Sequence, residues 1–338
     1  MIRKSANSRR AGYNFPMKAY LIYNPAAGRL PVGPFVYKAA SILRAAGWHI
    51  RIFPTRSGEH ATALAQEAAG TVDAVFAIGG DGTIGQIAAG LAGSTTTLGI
   101  LPAGTQNVLA IELGLRPFGW SRWWALDENL RQLIDAPVYS VDVGVCNGKP
   151  FLLWAGLGLD AMIVHQLEPR VRFDKYWTVP QSTMLSLWNA AVWHGIDLKA
   201  RADGQAIDGH FMLAVVTNIR TYLGGYVQIS PEARLDDGQM DLWLFSGDNL
   251  GDAMRHALGL FSGTHMLAED AIRIPFRTLR LESSPPVSLQ VDGEPGGLQQ
   301  SLEFSILPRA LKLMVPRRSL AMLAHAPHSG NLKINHEI

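Results

Sequence analysis

Three loops carry the residues whose types and spacing can do chemistry. Gly79-Gly80-Asp81-Gly82-Thr83 sets three glycines, a carboxylate and a hydroxyl directly ahead of a helical stretch beginning near Ile84. Glycines permit backbone conformations closed to other residues, free N–H groups at a helix start attract an anion, and a carboxylate among them can hold Mg2+ against that anion's oxygens. The loop reads as a phosphate site. It is not a Walker A loop, since no Gly-Lys-Ser/Thr follows, and it lacks the Gly-x-Gly-x-x-Gly spacing of a Rossmann turn. The plain alternative is a tight strand-to-helix turn capped by Asp81. In Pro102-Ala103-Gly104-Thr105-Gln106-Asn107, Thr105 offers a hydroxyl and an N–H toward the neighbouring loop, unless Thr or Asn is simply an N-cap. Asn24-Pro25-Ala26-Ala27-Gly28-Arg29 lets backbone amides approach a phosphate, and Asn-Pro is equally an ordinary turn initiator. Thr55, ahead of Arg56-Ser57-Gly58, is a similar position.

In chain order the first loop is Asn24 to Arg29, the second Gly79 to Thr83 and the third Pro102 to Asn107, and these loops need elements to hold them. From Lys18 to Leu101, short β-branched or aromatic runs (Ala19 to Tyr23, Trp48 to Phe53, Ala74 to Ile78, Thr97 to Leu101) alternate with alanine-rich helical stretches, the pattern of parallel strands joined by crossover helices. In such sheets ligands bind beyond the carboxyl ends of the strands, where all of these loops fall. A helical stretch is expected over Ser121 to Ile134. After about Pro137 strand-like runs dominate, interrupted by helical patches near Gln181 to Trp193 and Leu250 to Phe261, so the second lobe reads as antiparallel. The expected fold class is α/β: a parallel α/β nucleotide-binding lobe over 17–137, a mainly antiparallel β-sandwich lobe over 138–316, and a cleft between them. Residues 1–16 read as a disordered extension and 317–338 as a loose tail.

The 338 residues, 48% of them apolar, are enough for two cores. Thirty Lys and Arg against 28 Asp and Glu leave a net charge of +2, which argues against a polyanion-coating protein, and nucleic acid is not expected as a partner. The one cysteine, Cys146, leaves no disulfide framework within the chain, and with no signal-peptide pattern the expected compartment is the cytoplasm. Neither HExxH nor Gly-x-Ser-x-Gly occurs, so metalloprotease and serine hydrolase readings are poor.

Gly79-Gly80-Asp81-Gly82-Thr83 followed by Pro102-Ala103-Gly104-Thr105-Gln106-Asn107 resembles the diacylglycerol kinase catalytic domain superfamily, which includes bacterial soluble lipid kinases and sphingosine kinases. Asn24-Pro25-x-x-Gly28, Thr55 with Gly58-x-His60-Ala61, Gly156-Leu157-Gly158-Leu159-Asp160, Pro231 to Gly238 and Val291-Asp292-Gly293-Glu294 follow in that family's order. The resemblance implies phosphoryl transfer from ATP to a lipid hydroxyl, a diacylglycerol-like or sphingoid acceptor. It places nucleotide at Asn24, Thr55, Gly79, Gly80, Asp81, Gly82, Thr83, Ile84, Gly85 and Thr105, with Asp81 organising Mg2+ and phosphate. Glu294 is favoured as the base that takes the acceptor's proton, with Asp292 close behind, while Asp-Gly by itself signals only a hairpin turn. Asp160 matches a position that holds the acceptor in sphingosine kinases. A structural Mg2+ site would fall on Asp237 with the carbonyls of Arg234 and Gln239.

Gln106 and Val108 stand where the family often has a small residue and an acid, which leaves the acceptor open. An NAD kinase-like enzyme with a soluble acceptor, or a catalytically silent nucleotide- or lipid-binding protein, remains the alternative. Trp120-Ser121-Arg122-Trp123-Trp124 and Arg170 to Trp177 place tryptophan beside basic residues, which suits a membrane interface as well as ordinary packing. Peripheral contact with the inner membrane face is therefore expected; a homodimer stays open.

Overall fold

A computed structural model describes residues 16–159, 161 and 193–325. The first lobe is built from β1 (Lys18–Tyr23), α1 (Gly33–Ala45), β2 (His49–Pro54), α2 (Gly58–Ala68), β3 (Ala74–Gly79), α3 (Asp81–Leu91), β4 (Thr97–Pro102), α4 (Val108–Glu112) and α5 (Ala125–Ile134). The strands β2-β1-β3-β4 pair in parallel, with β3 and β4 buried along their whole length. A strand covered on both faces needs a continuous apolar run, and Ala74–Gly79 and Thr97–Pro102 supply it. The small side chains Ala39, Ala40, Ala65, Ala68 and Ala88 let the helices lie close on the sheet.

The β-rich lobe follows with β5 (Val138–Cys146), β6 (Lys149–Phe151), β7 (Trp154–Gly158), β8 (Ile196–Ala202), β9 (Gln205–Thr217), β10 (Thr221–Tyr222), β11 (Val227–Gln228), β12 (Met240–Ser246), α6 (Leu250–Ser262), β13 (Ala271–Phe276), β14 (Thr278–Val291) and β15 (Glu294–Met314). Its strands pair antiparallel around a second core that includes Phe151, Phe211, Leu242, Phe276, Leu281 and Phe304. The α/β plus β-sandwich architecture is the expected one.

The two lobes share a strand. β15 pairs antiparallel with β14 near its start, and at Lys312 and Leu313 it pairs in parallel with β4. The register slips between Leu307 and Leu311, with Arg309 at φ 50°, and Asp142 pins that kink by accepting the Arg309 amide at 2.6 Å. One sheet therefore runs through both lobes, carried by the single strand Glu294–Met314.

Other elements differ from expectation. Residues 119–124 form turns ahead of α5 instead of a helix, with Gly119 bridged to Arg122. Within the stretch read as a loose tail, Arg317–Met322 forms a packed 3-10 turn. Arg220 and Arg234 donate to the Ala321 carbonyl, the Asp236 carboxylate accepts the Ala324 and His325 amides, and Met322 is buried. Charged groups far back in the chain hold it, so local composition could not reveal it. Asp160, the Arg170 to Trp177 cluster, almost all of the Gln181 to Trp193 patch, residues 1–15 and residues 326–338 lie outside the described residues.

Cys146 is buried, and burial pushes its thiol up to about 12. Since the thiolate is the reactive form, a maleimide at pH 7.5 is expected to leave the folded chain unlabelled and to label it fully in denaturant; rapid labelling of the folded chain would contradict that burial.

Candidate active site

The carboxyl ends of β1, β2, β3 and β4 face the β14–β15 turn. Between them lies a cleft with a cavity volume of about 510 Å3, bounded by Asn24 to Gly28, Thr55 to Gly58, Gly80 to Thr83, Gly104 to Gln106 and Asp292 to Glu294. Five segments distant in sequence thus meet at one cavity, which is large enough for a nucleotide-sized ligand.

The glycines serve close approach. Gly79, Gly80 and Gly82, read as glycines that permit conformations closed to other residues, all lie outside the positive-φ region, as does Gly85. A Cβ on Gly104 would lie 2.3 Å from the Cα of Gly80, so the second and third loops touch backbone to backbone. A Cβ on Gly82 would lie 3.0 Å from Oε1 of Glu294, and one on Gly85 3.2 Å from Oδ2 of Asp292. The first turns of α3 are bare where the two carboxylates of the β-rich lobe come down on them.

Asn24 closes the first loop, its Oδ1 accepting the Ala26 amide and its Nδ2 donating to Thr83 Oγ1 at 3.2 Å. Ser57 caps α2 by accepting the His60 amide. Asn107 sets the third loop: at φ 59°, ψ 47° and fully buried, it accepts the Gly104 amide and donates to the Gly104 carbonyl, both at 2.8 Å. Thr105 and Gln106 are left exposed at the tip. Asn tolerates the left-handed region better than other residues with a Cβ. Asn107→Ala loses that tolerance and two hydrogen bonds, and is expected to destabilise the chain by about 2–3 kcal/mol in urea unfolding; a change below about 0.5 kcal/mol would mean the loop holds without it.

The three acidic candidates differ in kind. Asp81 opens α3 with its Oδ1 buried and no hydrogen-bond partner; burial raises its pKa, and the amides of Val108, Leu109 and Asn107 offset that only in part. Asp292 sits at φ 50° in the turn, where its carboxylate accepts the amides of Leu152 at 2.9 Å, Leu153 at 2.8 Å and Trp154 at 3.2 Å. Burial pushes its carboxyl up to about 6, those amides pull the other way, and the charge of Asp81 adds to the rise. Glu294 is exposed at the start of β15 and faces Gly82 across the cleft.

Of the residues singled out by sequence, Asn24, Thr55, Gly80, Asp81, Gly82, Thr83, Thr105, Asp292 and Glu294 line this cavity. Gly85 lines an adjoining cavity of about 400 Å3 that shares Gly82, Gln86, Asp292 and Glu294 with it. Ile84 does not reach the cleft: its side chain is buried in the core and its amide bonds the Gly80 carbonyl. Gly79 also stays behind, its carbonyl taken by the Ala103 and Gly104 amides. Gln86, which faces both cavities and bonds Thr62 at 2.8 Å, was not singled out, because a lone glutamine inside a helix carries no local signal.

The Asp237 region lies in a separate turn. Asp237 accepts the Gln239 amide at 3.1 Å; its pKa is raised by burial and by the neighbouring Asp241 and Asp236 carboxylates. The Arg234 side chain is turned away to the Ala321 carbonyl. Among the described residues no three acidic, histidine or cysteine side chains converge as metal ligands. A site of one carboxylate with backbone carbonyls still fits this turn, where negative charge is crowded.

Comparison with known proteins agrees with this fold. Residues 18–146 match the diacylglycerol kinase catalytic domain, and residues 156–315 match the YegS C-terminal NAD kinase beta sandwich-like domain. The "Diacylglycerol kinase" of Bacillus subtilis (strain 168) is 27% identical over 317 residues, covering 90% of this chain and 99% of that protein. The "Probable lipid kinase YegS-like" of Chromohalobacter salexigens is 30% identical over 320 residues, covering 90% and 95%. In fold, the chain is similar to the crystal structure of a diacylglycerol kinase from Bacillus anthracis str. Sterne, with TM-score 0.69 at 24% identity, covering 90% of this chain and 99% of that one. An NAD kinase from Archaeoglobus fulgidus in complex with ATP shares the fold at TM-score 0.51 and 12% identity, covering 90% and 95%. The fold thus defines a two-lobed class that also includes an NAD kinase. Within it, the chain belongs to the diacylglycerol kinase family of lipid kinases.

Proposed function

We propose that this chain transfers the γ-phosphoryl group of ATP to a hydroxyl of a diacylglycerol-like or sphingoid lipid taken from a membrane surface, inside the cell. The observation that carries the reading is the meeting of four nucleotide-type loops with Glu294 in one cleft. Asn24, Thr55, Gly80 to Thr83 and Thr105 bind the nucleotide through amides and hydroxyls. Asp292 positions the turn by holding the 152–154 amides, and Glu294, exposed and facing the α3 start, takes the proton of the acceptor hydroxyl as its oxygen attacks the γ-phosphorus and ADP departs. Asp81, with a buried and unpartnered carboxylate oxygen, suits a Mg2+ ion, which when bound neutralises charge on the phosphate oxygens. Asp237 is assigned a second, structural Mg2+.

The deciding experiment is transfer of labelled γ-phosphate from ATP in Mg2+ to diacylglycerol, monoacylglycerol, phosphatidylglycerol, sphingosine and ceramide in mixed micelles, with NAD as soluble control. Label in one lipid fixes the acceptor, and label in NAD alone overturns the reading. The structural metal has its own readout: added Mg2+ is expected to raise the melting temperature of the wild type but to raise that of Asp237→Asn less. Equal gains would remove the metal from that turn.

A further inference from the structure

Beside the third loop the surface is apolar and aromatic to an unusual degree. Trp120, Trp123 and Trp124 are 70%, 50% and 45% exposed, held at 119–124 by turns instead of a helix. Trp123 and Trp124 meet edge to face at 5.8 Å, and Trp123 stands 6.5 Å from Phe35 at the start of α1. The position is tied to the cleft, since Phe118 donates its amide to the carbonyl of Pro102, the last residue of β4.

From the other lobe, the tip joining β10 to β11 presents Leu223 and Tyr226, 42% and 83% exposed, next to Ile111 of α4. Leu223, Gly224 and Gly225 all have positive φ, at 49°, 70° and 89°. A leucine rarely adopts that conformation, and here the strain holds an apolar side chain out in water. Glu112 fastens the base of this tip to α4 by accepting the Arg220 amide, the Thr221 amide and the Thr221 hydroxyl at 3.0, 3.2 and 2.6 Å. A Cβ on Gly224 would lie 3.4 Å from Nε2 of Gln106, a residue that lines the cleft.

Charge selects the occupant. Around the tryptophans Asp127 is paired with Lys38 and Glu128 with Arg116, while Arg122 is exposed with no ion pair among the described residues. Exposed indole rings with surplus positive charge fit the headgroup layer of an anionic bilayer. Another apolar surface, Met254, Leu258 and Phe261 on α6, lies beside Arg255, whose charge is compensated by Asp252 and Asp270.

We propose that Trp120, Trp123, Trp124, Leu223 and Tyr226 form one docking rim that seats the chain on an anionic lipid bilayer with the mouth of the cleft against the headgroups. This rests on the lipid-kinase reading for its purpose, but binding can be measured without turnover. The full chain is mixed with vesicles of phosphatidylcholine alone or containing phosphatidylglycerol, with and without brominated acyl chains, and sedimentation and tryptophan quenching are read together. The wild type is expected to bind the anionic vesicles preferentially and to be quenched. Trp120→Ser with Arg122→Glu, and separately Leu223→Ser with Tyr226→Ser, are each expected to weaken binding at least about fivefold. Turnover of a short-chain, monodisperse acceptor should stay unchanged. The conservative triple Trp120→Phe, Trp123→Phe, Trp124→Phe should lose quenching while remaining folded. Unaltered binding in both double variants, quenching that survives the triple, or binding lost only in Leu258→Ser with Phe261→Ser each overturns the proposal. Absence of label in every lipid format would count against the kinase reading and leave the vesicle result standing.

Discussion

Glu294→Gln is expected to lower kcat by about 10^2 to 10^4-fold, the usual contribution of a positioned general base, while leaving the affinity for ATP and the melting temperature unchanged. The side chain is exposed at the edge of the cleft, so its removal opens no core cavity. Gln keeps the shape and one acceptor oxygen but cannot take up a proton. Single-turnover transfer to the lipid identified by the acceptor panel, beside equilibrium binding of ATP, separates the chemical step from nucleotide binding. Activity within tenfold of wild type would remove Glu294 from the base role and return it to Asp292 or Asp81. Equal loss of ATP affinity would make it a binding residue.

Asp292→Ala is expected to fail differently, losing stability and activity together. Its carboxylate answers three amides at 152–154, where Leu152, Leu153 and Trp154 are all buried, and leaving those donors unmade should cost at least about 3 kcal/mol in urea unfolding. The pH dependence has a definite sign. Burial and Asp81 raise the carboxyl to about 6 from its usual value near 3.8, so the native state binds this proton more tightly than the unfolded chain does. The corresponding stability is complete below about 3.8 and is lost as pH rises through about 6. Relative to Asp292→Asn, which cannot titrate, the wild type should therefore lose margin between pH 4 and 6.5 and hold it constant above. A flat difference would show that the amides just offset burial, and a margin that grows with pH that they outweigh it. If Asp292→Ala instead kept full stability and lost only kcat, Asp292 would be a proton carrier and Glu294 its neighbour.

These two carboxylates show where reading the residues ends. Asp292 and Glu294 are two positions apart in a hairpin signal, and nothing in Asp-Gly-Glu says which one is engaged. The answer comes from residues 152–154, about 140 positions earlier, whose amides claim one carboxylate and not the other. The same limit applies to the glycines of the second loop. Their number was legible, but the reason is the backbone of Gly104 and the carboxylates across the cleft rather than their own dihedrals. The resemblance includes Ile84 in the run from Gly79 to Gly85, whereas helical periodicity turns its side chain into the core.

What the sequence by itself determined is the local and the ordered: the βα alternation of the first lobe, the placing of phosphate-type loops at strand ends, and the succession of motifs that carries the family likeness. These are properties of short windows, where hydrophobic period and turn residues act over a few positions. The tertiary structure alone decided how far-apart segments share work. β15 begins in one lobe and ends beside β4 in the other. Residues 321–324 are locked by Arg220, Arg234 and Asp236, and the base of the tip that carries Leu223 is fastened at Thr221 by Glu112 of α4. Each of these depends on hydrogen bonds or strand pairs between residues some 90 to more than 200 positions apart, and such pairings become defined only once packing has brought the partners together.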